Sequence, residues 1–126
     1  MIRHTTVALL LFFPVVIGQC TNSSSLTIDL RNKGITEVND ALFQGCNIQA
    51  TTLLLSDNDI ANITNTSFAK LDVTLPQQYL PLLPSLKILR LDNNKISTIE
   101  IGAFQFFNQL ETLSISNNRL AALESG

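Results

Sequence analysis

The 126-residue chain has no tryptophan, one tyrosine, one methionine, one histidine and two cysteines. Each shortage closes off some chemistry. The histidine is His4, inside a leader that maturation would remove, so the mature chain has no histidine to act as a base or hold a metal. Charged residues are 14% of the chain and the net charge is −2, with Lys and Arg scattered, which argues against a basic nucleic-acid face. There is no Gly-rich phosphate loop and no nucleophile elbow. The apolar run Val7–Ile17 is too short for a spanning helix, and Pro14 interrupts it. What is present is apolar: 45% of the residues are hydrophobic, enough for a core and against disorder. The length fits one domain.

The apolar residues are strongly ordered along the chain. Leu86–Leu110 reads LKILRLDNNKISTIEIGAFQFFNQL. Its landmarks are Leu86, Leu89, Leu91, Asn94, Ile96, Ile99, Phe104 and Phe107, with Leu110 opening another unit about two dozen residues on. Leu89 and Leu91 alternate with Ile88 and Arg90, the period-two mark of a short strand buried on one face. Asn94 sits where the chain leaves that strand. Its side-chain amide carries both donors and acceptors, so it can bond backbone groups of its own turn and the next. One turn cannot bury this set alone, so copies must stack.

The copies exist. With the second strand leucine as origin they begin at Leu30, Leu55, Leu91 and Ile115. Five positions on stand Ile35, Ile60, Ile96 and Leu120, and eight on stand Val38, Ile63, Ile99 and Leu123. Thirteen on stand Phe43, Phe68 and Phe104. Asparagine follows the origin at Asn58, Asn94 and Asn118, with Lys33 in the first copy, as an atypical end repeat allows. Unrelated strands of a sandwich would not keep a fixed step to phenylalanine.

This pattern resembles the extracellular leucine-rich-repeat proteins, the group that includes Toll-like receptor ectodomains, variable lymphocyte receptors and small leucine-rich proteoglycans. The resemblance covers roughly residues 25 to 123. It implies an α/β fold: a curved solenoid of about four repeats, short parallel strands on the concave face and a mostly irregular convex side with a Phe spine. The motif specifies fold far better than function, because such scaffolds serve many unrelated partners.

Residues 1–18 read as a secretory signal peptide: Arg3 and His4 lead, the apolar run follows, and Val16 and Gly18 supply small residues before the cut. A lipidated Cys20 is the weaker reading, since Gln19 stands where a small residue is needed. The mature domain is then 19–126, with an N-terminal cap at 19–24, repeats from about 25, an insertion at about 72–84 and a truncated last repeat at 110–126. An even cysteine count in a secreted chain points to a Cys20–Cys46 disulfide closing the exposed end of the core. The alternative is a buried Cys46, at the place of Leu71 and Phe107 in later copies, with Cys20 free or paired elsewhere. Family caps often hold four cysteines, so this one is reduced. Sequons stand at Asn22, Asn62 and Asn65.

The step from Leu55 to Leu91 exceeds its neighbours by about half a repeat, and the excess lies in DVTLPQQYLPLLP. Leu80, Leu83 and Leu86 keep an apolar step of three into the next strand. The stretch reads as a convex-side loop, either a binding loop or a neutral insertion. Asp57-Asn58-Asp59 lacks the glycine and late glutamate of an EF-hand, and Asn58 is already the ladder residue. Asp29, Asp57, Asp92 and Glu111 lie on or near successive strands with no constellation to fix them, so they read as a solvated face. No catalytic residue, metal ligand or cofactor is expected.

The remaining surface is the strand face that points away from the core: Thr27, Asp29, Arg31; Thr52, Leu54, Ser56; Ile88, Arg90, Asp92; Thr112, Ser114, Ser116. Leu54, Ile88 and Arg90, with Asp92 beside them, are the candidate anchor for a ligand. The plain alternative is ordinary strand exposure. The expected protein is a secreted, extracellular, non-catalytic module that binds a protein or glycan, not nucleic acid. The other reading is the N-terminal part of a larger membrane-anchored receptor or adhesion protein. No capping repeat follows Leu123, so self-association through that end is a further expectation.

Overall fold

Triplets with an apolar centre make the main strands. The computed structural model describes residues 19–74 and 78–121; the leader at 1–18 and Leu123 lie outside the described residues. The strands are β1 (Thr27–Asp29), β2 (Thr52–Leu54), β3 (Asn62–Ile63), β4 (Ala69–Asp72), β5 (Gln78–Pro81), β6 (Ile88–Arg90), β7 (Thr98–Ile99) and β8 (Thr112–Ser114). β1, β2, β6 and β8 form one parallel sheet in that order. β3 and β7 pair in parallel beside it. The only helical piece among the described residues is a single 3-10 turn, Asp40–Phe43. Its short length follows from the spacing: Val38 and Phe43 must both reach the core, which leaves no room for an α-helix between them. Asn39 caps the turn, its Oδ1 accepting from the Leu42 N–H at 3.3 Å.

The register sets Ile28, Leu53 and Leu89 in one inward row, exposed by 3%, 0% and 0%. Leu113 ends that row and is 39% exposed. Full burial of a leucine contributes roughly 1.5–3 kcal/mol, so this row anchors the sheet. Ile35, Ile60, Ile96 and Ile63 are also fully buried, and Leu30, Leu55 and Leu91 lie beneath the strand ends.

Leaving each strand, the chain turns through one left-handed residue: Asn32, Asp57, Asn93 and Asn117, with φ of 56°, 61°, 57° and 57°. Asn and Asp tolerate this region better than other residues with a Cβ. The turn presents the ladder asparagines inward. Asn58 Nδ2 donates to the carbonyls of Leu30 and Leu55 at 2.9 Å each, and its Oδ1 accepts from the Lys33 and Ile35 N–H at 3.0 Å each. Asn94 repeats this with Leu55, Leu91 and Ile60, and Asn118 with Leu91, Ile115 and Ile96. The tie therefore runs to the preceding turn, not to the following one as the sequence suggested, because the turn carries the side chain back across the open edge of the copy before it.

On the far side Phe43, Phe68, Phe104 and Phe107 form an aromatic stack. Phe43–Phe68 centroids lie 6.4 Å apart, Phe68–Phe104 6.3 Å and Phe68–Phe107 4.9 Å. Phe107 thus enters the stack, but Leu71 does not take the equivalent place. It is half exposed on β4. Either side of residues 75–77, β4 and β5 pair antiparallel, Ala69 with Pro81 and Leu71 with Tyr79. Leu80 is correspondingly exposed, while Leu83 and Leu86 are buried. The Leu82 N–H donates to the Phe68 carbonyl at 3.1 Å and closes the hairpin root.

Cys20 and Cys46 are joined by a disulfide, with 5.1 Å between their Cα atoms. It links the segment before β1 to the segment after the 3-10 turn.

Candidate functional site

The face of the sheet opposite the buried row is built by strand alternation alone. Once Leu53 and Leu89 point inward, Thr52 and Leu54 on β2 and Ile88 and Arg90 on β6 must point outward. Register places Leu54 beside Arg90 and Thr52 beside Ile88. Neighbouring strands lie about 4.8 Å apart, so Leu54 and Arg90 are direct neighbours, with Ile88 on the same face of β6, two residues before Arg90 and diagonal to Leu54. Leu54 and Ile88 are half-buried and Arg90 is exposed. This gives two partly covered aliphatic side chains beside a guanidinium, able to take an apolar group and an anionic or hydrogen-bonding group together.

Asp92 lies just beyond the strand, tied to the next turn. Its Oδ1 accepts from Ser114 Oγ at 2.6 Å, Ser116 Oγ at 2.8 Å and the Ser116 N–H at 2.8 Å. Partial burial pushes the carboxyl up, but these three bonds and the charge of Arg90 outweigh it and hold the carboxyl below its ordinary range. Asp92 therefore stays ionised near Arg90, with one oxygen already engaged. Ser56, expected on this face, is instead buried. It stands on an interior turn, and its carbonyl accepts from the Asn32 N–H at 3.3 Å.

At the first strand Asp29 and Arg31 satisfy each other. Arg31 Nε and Nη2 donate to the two carboxylate oxygens at 2.8 and 2.7 Å, which lowers the Asp29 pKa to about 2. Glu111 is exposed, and Asp57 is exposed in its turn. Asp59 pairs with Lys95 at 3.1 Å. Among the described residues no three His, Cys, Asp or Glu side chains gather as a metal site.

Two further places bear on binding. The hairpin exposes Leu71, Val73 and Tyr79. At its root is a cavity of ≈ 290 Å³ lined by residues that include Phe43, Cys46, Ile48, Lys70, Pro81 and Leu83. The three sequon asparagines are all exposed. Asn22 accepts from Ser24, N–H and hydroxyl, within a local turn. Asn62 accepts from the Thr98 hydroxyl of the next turn. Sequence reasoning missed the left-handed turns, although their signal was present as an Asn or Asp two positions after each origin.

Residues 71–120 match the family model described as leucine rich repeat. Among curated proteins, decorin of Oryctolagus cuniculus is similar: 32% identical over 105 residues, covering 73% of this chain and 28% of decorin. The chain thus spans under a third of the length of that relative. No solved structure matches.

Proposed function

The chain belongs to the leucine-rich-repeat family, and on that footing we propose a secreted, non-catalytic binding module: a solenoid of about four repeats that recognises a protein or glycan through the outward face of its parallel sheet. One observation carries the reading. Leu54 and Arg90 are neighbours across β2 and β6, with Ile88 on the same face diagonal to Leu54, on the side the core does not use. Partly covered aliphatic groups beside an arginine are the composition of interface anchors. The leader read over 1–18, the disulfide and the three sequons support an extracellular setting.

The ligand's anchor is an apolar group between Leu54 and Ile88, with a carboxylate, sulfate or carbonyl oxygen facing Arg90. Asp92 orients the arginine by charge while its own oxygen stays with Ser114 and Ser116. The test uses the secreted chain against an array of secreted proteins and of neutral and sulfated glycans. R90E should reduce the strongest signal at least tenfold, the scale of an interface hot spot, while K33E, outside the cluster, should not. A signal unchanged in R90E would sink the reading. The second reading, a portion of a membrane-anchored receptor, would appear as a native product of larger mass.

A further inference from the structure

Asn62 and Asn65 head adjacent sequons, and the sequence treats them alike. The structure separates them by what lies beside each. Asn62 pairs with Thr98 across β3 and β7 and shares a hydrogen bond with its hydroxyl. It is thus flanked by a polar side chain that is already partnered. Asn65 stands ten positions after Leu55, and the residue ten positions after Leu91 is Ile101. The turns stay aligned here: the Glu100 N–H donates to the Ile63 carbonyl at 2.9 Å, and the Asn65 N–H donates to Glu100 Oε1 at 2.8 Å. Asn65 and Ile101 therefore border the same open groove, of ≈ 510 Å³, along with Thr98, Ile99 and Glu100. Ile101 is 60% exposed there, an isoleucine left in water beside the half-buried Ile99.

We propose that Asn65 carries an N-linked glycan whose first N-acetylglucosamine lies over Ile101 and covers this groove. The inference rests on the secretory reading above. Asn65 Nδ2 attacks the anomeric carbon of the reducing-end sugar of a lipid-pyrophosphate-linked oligosaccharide. The new C–N bond replaces the C–O bond to pyrophosphate, the amide loses one proton, and the lipid pyrophosphate departs with the electron pair. The attached sugar is tethered within reach of Ile101, so its C–H face meets the isoleucine at high effective concentration. Removing that apolar surface from water favours the covered state. Timing is also set by the fold. Ser67, the hydroxyl residue of this sequon, is 2% exposed, and its Oγ accepts from the Thr64 N–H at 2.9 Å. Transfer must therefore precede closure of this turn, as in co-translational modification.

The full chain, secreted from cultured animal cells, is treated with an amidase-type glycosidase in heavy-oxygen water and mapped by peptide mass. Asn65 is expected as labelled aspartate. N65Q should lower secreted yield several-fold and raise binding of an apolar dye, N62Q should do neither, and I101T should restore N65Q. Folded, unglycosylated chain offered to the transferase should remain unmodified at Asn65. A secreted chain with Asn65 unmodified overturns this proposal alone, as does N65Q that behaves like wild type. A chain that stays in the cytosol with its leader intact overturns the secretory reading as well.

Discussion

Replacing Asn58 by alanine should harm the fold more than replacing Asn94, although both are buried ladder residues. The difference lies in which backbone groups keep another partner. In Asn94→Ala the Leu55 carbonyl retains the Asn58 amide at 2.9 Å, and the Leu91 carbonyl retains the Asn118 amide at 3.0 Å. One buried group is orphaned, the Ile60 N–H. In Asn58→Ala the Leu55 carbonyl retains Asn94 at 3.0 Å, but the Leu30 carbonyl and the Ile35 N–H lose their ladder partner. The Lys33 N–H is released too, in an exposed residue where water can replace the bond. An orphaned buried group costs about 1–3 kcal/mol, which gives about 1–3 kcal/mol for Asn94→Ala and about 2–6 kcal/mol for Asn58→Ala. Against a total stability of about 5–15 kcal/mol the second is a large loss. Urea unfolding followed by circular dichroism reads both as midpoint shifts at constant slope. Equal shifts, or a larger one for Asn94→Ala, would refute the reasoning.

The Cys20–Cys46 bridge spans a sequence separation of 26, so opening it should cost about 3.5 kcal/mol by the loop-entropy relation. Urea midpoints of the oxidised and reduced chain measure this, and a loss below about 1 kcal/mol would contradict it. The Asp29 carboxyl is held at about 2 by the Arg31 guanidinium, below its ordinary 3.8. A depressed folded value means that the pair's contribution is full above the unfolded pKa and is lost as pH falls from about 4 toward 2. Asp29→Asn should flatten that part of the acid-stability profile, and a carboxyl titration midpoint near 3.8 would show that the pair does not form.

How much of this was legible depended on whether a position obeys a period. Leu53, Leu89, Ile35, Ile60 and Ile96 recur at fixed offsets because stacking forces each turn to fill the same place, so their burial could be read directly. The outward positions of Leu54, Ile88 and Arg90 follow from the same alternation. Leu71 was misread because the backbone changes direction locally, whereas Ser56 is a small side chain on an interior turn, between the equivalent positions Arg31 and Asp92 of the turns on either side. Hairpin pairing carries Leu71 out to face Tyr79. The Asn ladder was visible, but its direction was not, since an amide with donors and acceptors can serve either neighbour. Nothing in the spacing distinguishes Asn62 from Asn65; only the adjacent turn does, with Thr98 beside one and Ile101 beside the other.

The hairpin and the ladder together explain how the stack tolerates an interruption. Consecutive asparagines share carbonyl acceptors at Leu55 and Leu91, so each turn is bonded to the one before it whatever happens on the far side. The hairpin leaves after Phe68 and returns at Leu82, where the Leu82 N–H bonds the Phe68 carbonyl, and Leu83 and Leu86 then re-enter the core fully covered. The extra residues therefore begin and end at nearly one point of the stack. Sheet register from β2 to β6 remains unbroken across them. The cluster of Leu54, Ile88 and Arg90 lies across that junction, between the two turns that the insertion separates in sequence. Its geometry depends on the ladder and the buried row, and is insulated from variation in the hairpin.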